Sequence, residues 1–358
     1  LLALTLSTII DSDIRKAQTL PSSYYTDPEE FSEIRLRFRK YWHFAAHKNQ
    51  LMGKSAIELR HLENLINEPI MITNDEEIRC ISNVCTHRGM LIVDRTCSKK
   101  ILQCPYHGRT FDLDGSMRSM PEFQDVEDFP SEKDDLRNFP VLYWKGLIFS
   151  GIDPSGIENS LAEMEKRVGW MPIEAFEYDP SRNRSYDIKA NWALYVDNYL
   201  EGFHIPFVHK DLNSALDYEN YRTELFDGGV LQIGIASEGE ATFDIPEDSP
   251  DFGLQVSAYY YWIFPGLMLN FYPWGLSVNL VVPLSVDSTR IIYHGFVWDR
   301  KMTGKGAGGD LDKVESEDQA IVEATHRGVS STTYNRGRYS PTKETGVHHF
   351  HRILTKHK

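Results

Sequence analysis

Residues 85–107 begin Cys85-Thr86-His87-Arg88-Gly89-Met90 and end Cys104-Pro105-Tyr106-His107, with Gly108 directly after. Sixteen residues, Arg88 to Gln103, separate the first Cys/His pair from the second. Two thiolates and two imidazoles are a donor set that zinc accepts. Their distribution points elsewhere. Zinc fingers usually place both cysteines in one loop and both histidines in another. Here each loop holds one of each, so each can give its sulfur to one metal ion and its imidazole to a second. That suits a [2Fe–2S] cluster in which two histidines replace two cysteines on one iron, the Rieske arrangement.

A second donor group lies in the segment Asn198-Tyr199-Leu200-Glu201-Gly202-Phe203-His204-Ile205-Pro206-Phe207-Val208-His209. Two histidines and one carboxylate with open positions make the facial triad of non-haem Fe(II) oxygenases. His204 and His209 are five apart, and on an unbroken helix that step turns them about 140° away from each other. Pro206 lies between them and removes a helix hydrogen bond, so the chain can bend there and let the rings converge. Two helix-end histidines packed in a core would give the same spacing. A third ligand must come from elsewhere. The acidic run Glu315-Ser316-Glu317-Asp318 offers one, although acidic residues on a helix are more often a solvated face.

With both segments in view, the chain resembles the Rieske-type non-haem iron oxygenases, the terminal oxygenase alpha subunits of ring-hydroxylating and N-demethylating systems, including the choline- and carnitine-oxidising branch. The resemblance covers nearly the whole chain. Respiratory Rieske proteins carry an extra disulfide-bonded Cys in each loop; the matching places here hold Met90 and Tyr106, which fits the oxygenase branch. The resemblance implies that Cys85, His87, Cys104 and His107 hold the cluster, and that His204, His209 and Asp318 hold a mononuclear iron. Family members carry an acidic pair at Glu317-Asp318, followed by an apolar residue, Glu and a stretch like Arg327-Gly328; Glu317 and Glu315 are the competing carboxylates. They also place an acid at Glu201, linking a Rieske histidine of a neighbouring subunit to the mononuclear iron. A carboxylate suits that task because it accepts an N–H on either side. Asp197, one turn earlier, is the alternative bridge or a brace of the helix. Glutamate at position 201 points to the choline and carnitine branch.

The 358 residues leave room for two domains. Hydrophobic residues are 41% and charged residues 25%, ordinary for a globular protein. A formal net charge of −14 speaks against nucleic acid and anionic membranes as partners. Beyond the cluster pair, Cys80 and Cys97 read as packed reduced thiols, which suits the cytoplasm. The opening Leu1-Leu2-Ala3-Leu4-Thr5-Leu6-Ser7-Thr8-Ile9-Ile10 is apolar but short, with no basic stretch before it, a poor match to a signal peptide. No apolar run reaches the length of a membrane span.

The fold class expected is α+β in three stretches. Residues 1–41 form an N-terminal helical segment packing on the catalytic domain, with residues 11–40 helical and Asp27-Pro28 opening a helix. Residues 42–153 form a small antiparallel β domain carrying the cluster, with short strands such as Ile57–Arg60, Pro69–Thr73 and Ile78–Ile81 and a turn at Asp114-Gly115. Residues 154–358 form the mononuclear iron domain. Its expected elements are a helix from Asn191 through His204, five strand-like runs between Val230 and Trp298, and a long helix from Asp310. The resemblance implies a curved antiparallel sheet around a helix-lined cavity. Gly304-Lys305-Gly306-Ala307-Gly308-Gly309 formally matches a dinucleotide fingerprint but stands several residues past the strand end, so it reads as a surface loop. His348, His349 and His351 read as packing and subunit contacts. The aromatic run Tyr259–Trp262 with Phe264, Phe271, Tyr272 and Trp274 reads mostly as sheet core. Some of these rings are candidates for a cation–π cage around a quaternary ammonium.

The expected function is a terminal oxygenase that hydroxylates or N-demethylates a small organic substrate, with O2 as co-substrate and electrons from a separate reductase. The aromatic ring-hydroxylating dioxygenases are the alternative. No flavin or nicotinamide motif is evident, so a flavin/iron–sulfur reductase or a ferredoxin must be another protein, and the family suggests a homotrimer. An electron carrier without oxygenase activity is the alternative of another class; it would hold two irons per chain where the oxygenase holds three.

Overall fold

The structure, a computed structural model, describes residues 9–309 and 311–356. Most of the apolar opening, residues 1–8, and Asp310, the expected start of the long helix, lie outside the described residues. The chain divides into two compact units, the described residues of Leu1–Ile34 with Ile157–Lys358, and Arg35–Gly156. Helix α1 is Ser23–Thr26 and α2 is Pro28–Phe38. Asp27 caps α2, its Oδ1 accepting the N–H of Glu29 at 2.8 Å. Residues 11–21 are not helical, contrary to expectation. Asp11 and Asp13 accept backbone N–H groups two residues on, at 2.9 and 3.1 Å. Such local turns compete with helix.

The unit Arg35–Gly156 is built from ten short strands: β1 His43–His47, β2 Ala56–Glu58, β3 Ile70–Asn74, β4 Ile78–Ser82, β5 Leu102–Gln103, β6 Thr110–Phe111, β7 Met117–Ser119, β8 Asn138–Phe139, β9 Val141–Trp144 and β10 Leu147–Ser150. They pair in three sheets, β1-β10-β9, β2-β3-β4-β8 and β5-β6-β7, and every pairing is antiparallel. Arg60 is not in a strand. It opens helix α3, Arg60–Ile66, whose Leu62, Leu65 and Ile66 recur at helical spacing and are buried. Cys85 and Cys104 sit in the same buried cluster as Met71, Ile81, Leu102, Phe111 and Leu136. Cys80 is fully buried, and burial pushes its thiol up to about 12.

The other unit carries α4 Glu158–Val168, β11 Glu177–Tyr178, β12 Arg184–Ile188, α5 Trp192–Tyr199, α6 Ile205–Val208 and α7 Lys210–Ala215. Six strands then follow as a meander: β13 Arg222–Phe226, β14 Gly229–Ile235, β15 Val256–Ile263, β16 Leu267–Tyr272, β17 Gly275–Ser285 and β18 Ser288–Val297. The antiparallel sheet runs β11-β18-β17-β16-β15-β14-β13, with β12 also paired to β18. Every residue of β14 and β16 is buried, the pattern of strands covered on both faces. Helices α8, Leu311–Val329, and α9, Thr345–Thr355, end the chain. α5 packs on β17 and beside α8 and α9. The class is α+β, with the sheet open rather than closed into a barrel.

The expected helix from Asn191 to His204 stops at Tyr199, and α6 starts afresh at Ile205. Pro206 has no N–H to give an uninterrupted helix but is tolerated in the first turn of a new one. The break changes the relation of His204 and His209 from two positions on one helix to the two caps of a four-residue turn.

Candidate metal centres

The two cluster loops share one backbone plan. The N–H of Gly89 returns to the Cys85 carbonyl at 3.0 Å, and that of Gly108 to the Cys104 carbonyl at 3.1 Å. Each cysteine's own N–H reaches the carbonyl five residues on, Met90 at 2.9 Å and Arg109 at 2.8 Å. Both glycines are left-handed, with φ of +73° and +75°, a conformation that costs other residues free energy. Short pairings hold the loops at their bases: Val84 bridges Leu91, and β5 pairs with β6. The result brings two thiols into the core, while the His87 and His107 rings lie 4.9 Å apart, centroid to centroid. The Nδ1 atoms of both rings are buried without a hydrogen-bond partner. Buried polar atoms without partners are uncommon, and two unpartnered imidazole nitrogens in loops that also carry two buried thiols fit an iron–sulfur cluster. Arg109, 2% exposed, braces the loops: its guanidinium donates to Thr86 Oγ1 at 2.7 Å and pairs with Asp134 at 3.3 Å.

In the other unit, ring nitrogens of His204 and His209 and an oxygen of Asp318 lie within 4.8 Å of one another. The His204 Nδ1–H donates to Glu201 Oε1 at 2.7 Å, and the His209 Nδ1–H donates to Glu317 Oε2 at 2.7 Å. A carboxylate only accepts, so in the neutral rings these bonds place the protons on Nδ1 and leave both Nε2 atoms as lone pairs. Those Nε2 atoms are 3.2 Å apart, and Asp318 Oδ1 is 2.9 Å from one and 3.6 Å from the other. Three acceptors turned on one point repel one another unless a cation lies between them, which is the fit expected for a mononuclear metal. Burial disfavours charge on His209, but Asp318 and Glu317 outweigh it and raise its pKa.

Sequence reasoning did not single out Asn198, whose amide donates to Asp318 Oδ1 at 2.7 Å. Glu317, by sequence a rival ligand, holds the far side of the His209 ring. Glu315 lies one turn before Asp318 and is hydrogen-bonded to tyrosines instead. Asp197 accepts Tyr25 Oη at 2.7 Å and His351 Nε2 at 2.7 Å. His348 and His349 bond to the carbonyls of Asp11 and Phe226.

Asn198, Glu201 and His204 border two hollows. One is lined by Tyr195, Tyr199, Tyr221, Tyr260, Tyr272 and Tyr293 together with Glu315, Asp318 and several amides, and encloses about 770 Å³ including its mouth. The other is lined by Tyr25, Asp197, Tyr334, Glu344 and His351. Of the aromatic run, Tyr260 and Tyr272 reach the first hollow, while Tyr259 and Tyr261 are buried in the core. The glycine-rich loop is not wholly at the surface. Ala307 and Gly308 are buried, Ala307 lines the same hollow, and a Cβ on Gly308 would stand 2.4 Å from the Trp274 ring nitrogen.

Residues 175–357 match the ring hydroxylating alpha subunit (catalytic domain) family, and residues 41–130 match the Rieske [2Fe-2S] domain. The chain therefore belongs to the ring-hydroxylating alpha subunit family, the Rieske-type non-haem iron oxygenases. It is similar to the chloroplastic choline monooxygenase of Arabidopsis thaliana, 28% identical over 363 residues that cover 95% of this chain and 83% of that protein. It is also similar to the carnitine monooxygenase oxygenase subunit of Escherichia coli (strain K12), 27% identical over 360 residues, covering 96% and 94%. Its fold is that of the quaternary ammonium Rieske monooxygenase CntA solved with L-carnitine (TM-score 0.76, 22% identity, 96% of each chain). The naphthalene 1,2-dioxygenase from Rhodococcus sp. bound to indole has the same fold (TM-score 0.73, 18% identity, 94% and 93%). The protein is an oxidoreductase of this family that uses a Rieske cluster, a mononuclear iron and O2, and it draws its electrons from a reductase or ferredoxin partner. The reading as a bare electron carrier falls with the catalytic domain. No helix among the described residues is long and apolar enough to cross a membrane.

Proposed function

We propose that this oxygenase acts on a small quaternary ammonium compound, oxidising a carbon bonded to the nitrogen. One observation carries the reading. The hollow beside His204 and Asp318 is lined by six tyrosines and three carboxylates and, among the described residues, by no lysine or arginine. A quaternary ammonium has no N–H to donate, so it is held by aromatic faces and by negative charge. An aromatic carboxylate would meet like charges there with no lysine or arginine to pair it.

In this reading Cys85, His87, Cys104 and His107 hold the cluster, and His204, His209 and Asp318 hold the iron. The iron, when bound, supplies the O2 chemistry, and the cluster supplies electrons one at a time. The chain's own groups position these ligands. Glu201 and Glu317 keep the two imidazoles in the tautomer that offers Nε2, Asn198 fixes Asp318, and the buried tyrosines keep bulk water from the substrate. Glu201 also borders the second hollow. That position supports docking of a neighbouring subunit's cluster domain there, within a homotrimer, with Glu201 as the link between the centres. Asp197 already has two partners, which favours a bracing role. The reduced cysteines favour a cytoplasmic location.

O2 consumption driven by a surrogate reductase tests the substrate class. Choline, betaines or carnitine should stimulate uptake and aromatic acids should not. Stimulation by aromatic compounds alone would overturn the proposal.

A further inference from the structure

We infer that Glu315 is the residue that selects a cation in the tyrosine-lined hollow, its carboxylate supplying the counter-charge to the substrate's ammonium. This rests on the quaternary ammonium reading above. Three carboxylates border the hollow, and two are committed: Glu201 to His204, and Asp318 to His209 and Asn198. Glu315 is different. It is 6% exposed, and among the described residues it forms no ion pair with a lysine, arginine or histidine. Its partners are neutral. Tyr195 Oη donates to Oε2 at 2.8 Å, Tyr293 Oη donates to the same oxygen, and Gln319 Nε2 reaches Oε1 at 3.4 Å.

A carboxylate taken out of water without a counter-charge destabilises the protein that holds it. Burial pushes the Glu315 carboxyl up to about 7 despite the two tyrosine donors, and the nearby Asp318 adds to the rise. A cation entering the hollow offsets that cost. The hydrogen bonds also act on the rings. A phenol that donates to a carboxylate gains electron density, which strengthens the attraction of the Tyr195 and Tyr293 faces for a cation. Position completes the case. Glu315 and Asp318 are three apart on α8 and share one face, with Cβ atoms roughly 5–6 Å apart on an ideal helix. An ammonium paired with Glu315 is thereby held within one helical turn of Asp318, so that an N-methyl group can face the metal-binding side chains.

Binding to the holoenzyme, followed by calorimetry without O2 or reductant, tests the assignment independently of turnover. The probes are choline, glycine betaine, and 3,3-dimethylbutan-1-ol, the neutral carbon isostere of choline. Wild type should prefer at least one cation to the isostere. Glu315→Gln should lose that preference by about tenfold or more while binding the isostere unchanged, and Glu315→Asp should keep most of it. Should the Gln variant fail to fold, Glu315→Met removes the same charge and is read in the same way. A charge-free variant that keeps the preference, or weakens cation and isostere alike, overturns the role of Glu315. A wild type indifferent to both cations sinks the quaternary ammonium reading itself, and this inference with it.

Discussion

The side-chain amide of Asn198 donates to Asp318 Oδ1 at 2.7 Å, tying the end of α5 to the middle of α8. The same oxygen is 2.9 Å from His209 Nε2. Asn198 therefore fixes where the carboxylate stands relative to the two imidazoles. Partners of this kind set metal affinity by about 10–100-fold. Asn198→Ala should lower the retention of mononuclear iron by that order while leaving the cluster's visible absorption intact, as iron analysis after dialysis against a chelator would show. Undiminished retention would remove Asn198 from the site.

Glu201 holds His204 twice, through Nδ1 at 2.7 Å and through the backbone N–H at 3.0 Å. If it also links the centres of neighbouring subunits, Glu201→Gln, whose amide oxygen still accepts the His204 Nδ1–H, should keep both metals and a reducible cluster, yet lose product formation by about 100-fold. Mixing the reduced variant with substrate and O2 should leave the cluster reduced over times in which wild type reoxidises. Normal turnover in the variant would rule the link out.

His204→Ala removes one of the three converging donors and leaves Cys85, His87, Cys104 and His107 in place. Iron per chain should fall from about three to about two, with the cluster spectrum unchanged. Loss of colour in this variant would mean that the two centres do not form independently.

His43 sits in β1 at 4% exposure, its Nε2–H donating to the Phe38 carbonyl at 2.8 Å. Burial lowers its pKa to about 4, against an ordinary 6.5. Above pH 6.5 it is neutral whether the chain is folded or not. Between 6.5 and 4 the unfolded chain takes up a proton that the folded one refuses, so stability falls as pH falls, by on the order of 3 kcal/mol over the window. Urea midpoints at pH 7.5, 6 and 5 should decline accordingly, and less steeply in His43→Phe. Parallel declines would assign the acid sensitivity to other groups.

Much of this was legible in the sequence because it is local. The two Cys/His loops declare themselves by spacing, since a Cys, a His and a glycine able to turn left-handed must all lie within five residues. Pro206 announced that one helix could not run through this segment, although the break falls before His204 and Pro206 itself sits in the first turn of α6. The strands from Val230 to Trp298 were readable from their apolar runs, and β14 to β18 lie there. Residues 11–21 misled because aspartate turns compete with helix over distances shorter than a propensity window. The glycine-rich loop misled because nothing local records that Trp274 and Tyr272 close over Gly308.

Only the tertiary structure decided which acidic residue of α8 stands beside the histidines. Glu315, Glu317 and Asp318 share a composition that suits solvent equally well. The rotation of α8 against α5 turns Asp318 to both Nε2 atoms, Glu317 to the back of His209 and Glu315 into the hollow. The tyrosines of the hollow come from α5, β15, β16, β18 and the approach to β13. A sequence carries the period of each element but not the phase between elements. That phase is set by packing, and here it separates the donors of a metal from the walls of a substrate pocket.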